Sequence, residues 1–445
     1  MPILPIDTGR YGTPEMLKIF DEETRTQKLL DVEAALALAH AQVGDIPIKD
    51  AENIAQKSSI KYVKVERVKA IEKEIKHDIA SLVRALSEVC GESGAYVHLG
   101  ATSYDIVDTA NALQLKDAMS VLEEKLIGFR QILQKQSGKY KDTIMIGRTH
   151  GQHALPITLG FKFAVWGYEV KRHIERLKEC KKRVLVGKVS GAVGTQAGLG
   201  EHASEIQTLV MKRLGLDPAE ISTQIVQRDR YAELICIYAM VASSLENFAT
   251  EIRELQRPEI AEVFESFEEK KQVGSSTMPH KQNPETCERV CGLARIVRSL
   301  SAPTLEDMVT WHERDLTQSS AERFILPESS ILLDYILSLM CNIIANLRVD
   351  SERMLQNLCL TQGRTMSESV MMTLTKKGVN RQEAHELLRQ LAIKSVLEKK
   401  PFKQVLQENG LVSERLSERE INQAIDPKNY LGTAVQQAER FAKGA

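Results

Sequence analysis

RYAELICIYAMVASSLENFATEIRELQR, residues 230–257, runs 28 positions without Gly or Pro and stops at Pro258. Apolar residues recur at three- and four-residue spacing, which predicts one helix over the whole stretch. Leu234, Ile235, Ile237, Ala239, Met240, Val241 and Ala242 cover more than one face. A helix that is apolar all round is buried on all sides. In a bundle of about five helices, that degree of burial points to contact with other copies of the chain, hence a homo-oligomer.

Four neighbours read the same way: Asp105–Ser137, Thr158–Val186, Glu288–Ser301 and Glu328–Arg348. The longest are about twice the usual helix length. At about 1.5 Å per residue they would reach roughly 40 Å. No alternating pattern of comparable length argues for strands. The expected fold is all-α, with a central bundle of long helices. Residues 1–110 hold shorter helical segments, such as Asp31–Val43 and Val65–Cys90, and are read as an N-terminal helical domain. Residues 111–361 form the long-helix bundle. Residues 362–445 are more charged, with short helices at Arg381–Lys399 and Phe402–Glu408, and are read as a C-terminal helical domain.

Composition excludes several function classes. Of 445 residues, 59 are basic and 60 acidic, so no net field draws the chain to nucleic acid or to an anionic membrane. Seven cysteines form no disulfide framework, and Cys287 and Cys291 lack the further ligands a zinc site needs. Reduced thiols suit a cytoplasmic protein. The N-terminal residues have no signal-peptide pattern. The apolar stretch Ser330–Leu347 contains Asp334, Asn342 and Asn346, so it is expected to be a core helix rather than a membrane span. Gly191, Gly194, Gly198 and Gly200 follow no clear strand and are not read as a dinucleotide loop.

The chemistry concentrates in GSSTMPHKQNP, residues 274–284. Its glycine, serines and two prolines make it a loop between helices. Small residues, Lys281 and Asn283 could wrap an anion, although the composition also suits a plain polar connection. The string resembles the signature loop of the fumarase/aspartase superfamily, G-S-S-x-M-P-x-K-x-N-P, at every defined position.

Four more segments resemble the adenylosuccinate lyase family: RYGTPEM at 10–16, HLGATSYD at 98–105, GRTHGQHALP at 147–156 and ERDLTQSSAER at 313–323. They lie in the family's order, and the resemblance weakens after about residue 365. It implies a helical homotetramer with active sites shared between subunits. The substrate would be adenylosuccinate or succinyl-aminoimidazole-carboxamide ribotide, cleaved to fumarate and a nucleotide, without metal or cofactor.

The resemblance also implies roles. Ser275 would be the base and His150 the acid, with Glu288 as its partner. Lys281 and Asn283 would hold the carboxylate, and His77 would assist at the nucleotide or phosphate end. Arg314, Ser319 and Arg323, with Arg10 and Tyr11, would form the nucleotide and phosphate pocket. Thr102 and Ser103, beside His98, are natural helix N-caps that would also bind substrate. Lys76 and Asp78 flank His77 on a helix, pointing in different directions; Lys76 stands where the family commonly has Arg, and so lacks the bidentate fork. Thr149, Gln224, Ser276 and Arg289 are further binding candidates. His153 falls outside the pattern and is read as structural.

Two competing readings remain at this stage. One is another superfamily member, a carboxymuconate cycloisomerase or argininosuccinate lyase. The other is a non-catalytic helical scaffold.

Overall fold

The structure is a computed structural model and describes residues 4–266 and 277–444. The all-α expectation holds: the long helices are Ser103–Lys139, Leu159–Val184, Asp229–Gln256, Glu285–Ser299 and Thr317–Ala345. The last begins well before the expected Glu328 and runs through Pro327. A proline inside a helix costs about 3 kcal/mol. Ile325 and Leu326, buried just before it, recover about 1.5–3 kcal/mol each.

The chain divides into two compact units. The first comprises Met1–Ile127, Arg172–Glu246 and Val290–Ser338; the second comprises Gly128–Lys171, Asn247–Arg289 and Leu339–Ala445.

In the first unit, the helices Glu22–Val43, Ile48–Lys57, Val65–Ile75, Asp78–Cys90 and Ala203–Leu214 enclose one apolar core, including Leu30, Leu36, Ile54, Leu82, Ile206 and Val210. Local chemistry sets their ends. Thr13 caps Pro14–Phe20 by accepting the Met16 N–H, Asp21 accepts the Thr24 N–H, and Gly44 closes its helix at φ 90°. The expected single segment Val65–Cys90 is two helices. Lys76 adopts the left-handed conformation as a C-cap, and the His77 ring accepts the Ala80 N–H as the next N-cap. His77 therefore sits at a helix break rather than on a helix.

In the second unit, Trp166 stacks on Phe248 at 4.7 Å, with Phe129 and Phe163 beside them. Gly167 is required there: a Cβ would lie 1.8 Å from Cζ of Phe441. The helices between Ser367 and Ile425 close a separate core around Leu374, Leu388, Phe402 and Ile421.

This unit also holds a structure the helical pattern did not reveal. Ile144–Thr149 and Gln152–Thr158 pair as an antiparallel hairpin. Alternation of Ile144, Ile146 and Arg148 with their neighbours is too short to stand out among long helices.

By length and composition, Asp229–Gln256 and Thr317–Ala345 are apolar enough to cross a bilayer, but most of each apolar window is buried within the protein. Asp334, inside the second, is paired with Lys125 at 2.5 Å.

Candidate active site

The candidate residues form two groups, one in each unit. In the first unit, Arg323 reaches Asp78 at 2.6 Å and so ties the break at His77 to the Thr317–Ala345 helix. Burial would raise the Asp78 carboxyl, but the Ile79 N–H and the Arg323 guanidinium outweigh it and hold it below the usual range. His77 and Asp78 share this break with Lys76, whose backbone is left-handed at φ 57°.

Near Arg323, Ser319 and Tyr104 line one cavity, and burial raises the Tyr104 phenol. The Arg314 guanidinium lies 3.6 Å from the centre of the Tyr104 ring and donates to Gln224 Oε1 at 2.8 Å. Gln224 in turn donates to the Ala192 carbonyl. A cavity of about 340 Å³ is lined by Tyr104, Ser319, Glu322 and Arg323. Arg10 and Tyr11 pack on each other, and Tyr11 lies 5.9 Å from Tyr335.

The turn that carries Thr102 and Ser103 is organised by its acidic residues. Asp105 accepts the Thr102 N–H at 2.8 Å, the Ser190 N–H at 2.9 Å and the Gly191 N–H at 3.1 Å. It also pairs with Lys188, and neither side chain is exposed. Asp108 pairs in the same way with Arg228, which forks onto Glu322. Asp105 and Asp108 are therefore both buried and matched by cations from distant segments. Burial raises Glu322 to about 7 against the pull of Arg228. His98, at φ 64°, holds Glu33 at 2.7 Å; burial opposes its charged form, and the Glu33 carboxylate more than offsets this.

In the second unit, Thr149 and His150 are exposed at the hairpin tip. Thr149 pairs with Gln152 across a two-residue turn, His150 at φ 54° and Gly151 at φ 70°. Such turns match strand twist but strain a non-glycine first residue, and strain of this kind clusters at functional sites. The strand beneath is anchored: Arg148 forks onto buried Glu262 at 2.6 and 3.0 Å, and Asn357 donates to the same carboxylate at 2.8 Å. His153 faces Arg148 across the ladder, and burial, then Arg148, lowers its imidazole.

Of the signature loop, Ser275 and Ser276 lie outside the described residues. Lys281 is exposed and its N–H donates to the Met278 carbonyl at 3.1 Å. Asn283 is half-buried. Gln256 donates to the Gln282 carbonyl at 3.2 Å and accepts the Glu265 N–H, while the Glu265 carboxylate accepts the N–H groups of Thr286 and Cys287. Both ends of the loop are therefore tied to one place, with Glu265 at the start of the next helix, where an anion is favoured. Glu288 approaches Arg253 at 3.9 Å, and Arg289 pairs with Glu285. Among the described residues no cluster of His, Cys, Asp or Glu is arranged to hold a metal ion.

Sequence reasoning passed over Tyr104, Arg148 and Lys188. The first two lie inside quoted motifs, yet only their packing shows what they do. Lys188 has no local signal, because a buried lysine and a surface lysine look alike in sequence.

The family model described as "Lyase" matches residues 9–298, and that described as "Adenylosuccinate lyase C-terminus" matches residues 363–441. Among solved structures, a fumarate lyase from Mesorhizobium sp. BNC1 superposes with a TM-score of 0.91 at 32% identity, covering 100% of both chains. A 3-carboxy-cis,cis-muconate lactonizing enzyme from Pseudomonas putida gives 0.90 at 34%, covering 99% of this chain and 98% of that one. Fold and loop thus define a helical lyase of the fumarase/aspartase class. Similarity is greater to the adenylosuccinate lyase of Pyrococcus horikoshii, 55% identical over 98% of this chain and 96% of that one. That of Methanocaldococcus jannaschii is 48% identical over 100% and 96%. The chain belongs to the adenylosuccinate lyase family.

Proposed function

We propose that the protein cleaves adenylosuccinate to AMP and fumarate, and succinyl-aminoimidazole-carboxamide ribotide to the carboxamide ribotide and fumarate, in purine nucleotide biosynthesis. The observation that carries this reading is similarity to adenylosuccinate lyases along nearly the whole chain. The cavity beside Ser319 and Arg323 supports it, because an arginine fork and a hydroxyl suit phosphate oxygens.

In this reading Ser275, ionised with help from loop dipoles and Lys281, takes a proton from the carbon beside a carboxylate. The carbanion places a second negative charge on that carboxylate, which Lys281, Asn283 and loop N–H groups stabilise. His150, with Glu288, donates a proton to the departing nitrogen as the C–N bond breaks and the fumarate double bond forms. His77 and Asp78 act at the nucleotide end. Thr102, Ser103, His98, Lys76, Thr149, Ser276 and Arg289 position the substrate. Arg10, Tyr11, Gln224 and Arg314 enclose the nucleotide. Arg314 over the Tyr104 ring makes a flat cationic wall suited to a planar base.

The proposed assembly is a cytoplasmic homotetramer whose sites draw on several subunits. Exposed Val309, Trp311 and Leu316 support association, since exposed apolar patches mark interfaces. We read the functional division as 1–110, 111–361 and 362–445, as the sequence suggests.

The test is fumarate release from adenylosuccinate by purified protein, with Ser275→Ala as the control. Release from neither purine substrate would overturn the proposal. Conversion of a carboxymuconate instead would favour cycloisomerase chemistry, a reading that draws on the full-length likeness to the Pseudomonas enzyme. Mixed Ser275→Ala and His150→Ala subunits should regain activity. An inactive mixed tetramer would count against shared sites.

A further inference from the structure

The 340 Å³ cavity of the first unit holds a second guanidinium that no motif identified. Arg25 lies on the Glu22–Val43 helix and lines the cavity with Arg323, Ser319 and Tyr104. The acidic groups nearby are already matched. Glu22 pairs with Lys69 at 2.5 Å, Glu322 with Arg228 at 2.5 Å, and Asp78 with Arg323 at 2.6 Å. Among the described residues no carboxylate lies within ion-pair distance of Arg25. Partial burial, and then the like charge of Arg323, disfavour its charged form more than Asp78 and Glu322, both beyond ion-pair distance, favour it. Arg25 is half-buried, and a cation partly withdrawn from water without an ion-pair partner is costly. Two guanidiniums that share a cavity, one of them unmatched, leave positive charge that a bound anion would offset.

We infer that Arg25 is a further substrate-binding residue, which joins Arg323 and Ser319 in holding the phosphomonoester of the nucleotide. This rests on the proposed nucleotide substrate and adds to it a residue on a different helix. Arg25 supplies a fork to phosphate oxygens that Arg323, engaged with Asp78, can only partly meet. The Arg25 helix and the Asp78 break are thereby brought to one ligand group, so the phosphate would order the cavity wall as it binds.

Calorimetric titration of the intact protein with AMP and with adenosine separates this from a structural role. The native protein should bind AMP more tightly than adenosine. Arg25→Gln should lose roughly tenfold to a hundredfold in AMP affinity, the range for a charge-assisted hydrogen bond, with adenosine affinity held within about twofold. Arg25→Lys keeps charge without the fork and should fall between, which provides a reading if the glutamine variant does not fold. Unchanged AMP affinity in either folded variant overturns the role of Arg25 and leaves the proposed substrate standing. A native protein that does not distinguish AMP from adenosine overturns the phosphate site itself.

Discussion

Replacing Lys188 with Met keeps most of the side-chain volume and removes one charge from a pair in which both side chains are fully buried. Removing one partner of a buried ion pair costs about 3–5 kcal/mol, because the other charge stays behind without compensation. Asp105 retains three backbone N–H donors, from Thr102, Ser190 and Gly191, which place the loss near the lower end, about 3 kcal/mol. At about 1.36 kcal/mol per tenfold, this is on the order of a hundredfold in a local opening equilibrium. Amide hydrogen exchange reads it directly. Exchange at Thr102, Ser190 and Gly191 should accelerate by about that factor in Lys188→Met, and the urea midpoint should fall at matched protein concentration. The double variant K188M/D105N should lose less than the two single losses together, since the pair can be broken only once. Unchanged protection of all three amides, with an unmoved midpoint, would refute the idea that this pair holds the Thr102 turn against the Ser190 loop.

Two further outcomes can be checked independently. Burial raises the Asp307 carboxyl from 3.8 to about 6, with Arg228 opposing, so the folded state binds this proton more tightly than the unfolded state. Its stabilising contribution is complete below about pH 4 and is lost as pH rises towards 6, by up to about 3 kcal/mol. Asp307→Asn lacks that slope, so urea midpoints of variant and native protein should diverge between pH 4 and 6; parallel curves would exclude it. Arg148→Lys removes the fork on Glu262 beneath the His150 turn. It should lower kcat at least tenfold while KM changes only a few-fold; full kcat in steady-state assays would show that the turn needs no such anchor.

The two ion-pair systems of the first unit share a design. Asp105 with Lys188, and Asp108 with Arg228 and Glu322, take adjacent turns of one helix and match each carboxylate to a cation more than 70 residues away. Buried pairs of this kind add little net stability over apolar packing. Their value here is positional: they fix the Thr102 turn and the cavity wall in one register. The second unit solves the same problem at His150, where buried Glu262 receives both Arg148 and Asn357.

Long helices were legible in the sequence because periodicity is local: the apolar spacing of residues 230–257 requires only its own 28 positions. The signature loop and the family segments were legible as strings, since many fixed positions in the same order as a known family rarely match by chance. What only the tertiary structure decided depends on partners distant along the chain. The His77 break, the hairpin beneath His150 and the helix passing through Pro327 each run against a local pattern, because burial elsewhere outweighs it. Arg25 and Lys188 are ordinary cations in the sequence; one gains meaning from a cavity whose carboxylates are already taken, the other from a carboxylate withdrawn from water. Charge in a low-dielectric interior acts through what surrounds it, and those surroundings exist only once the chain has folded.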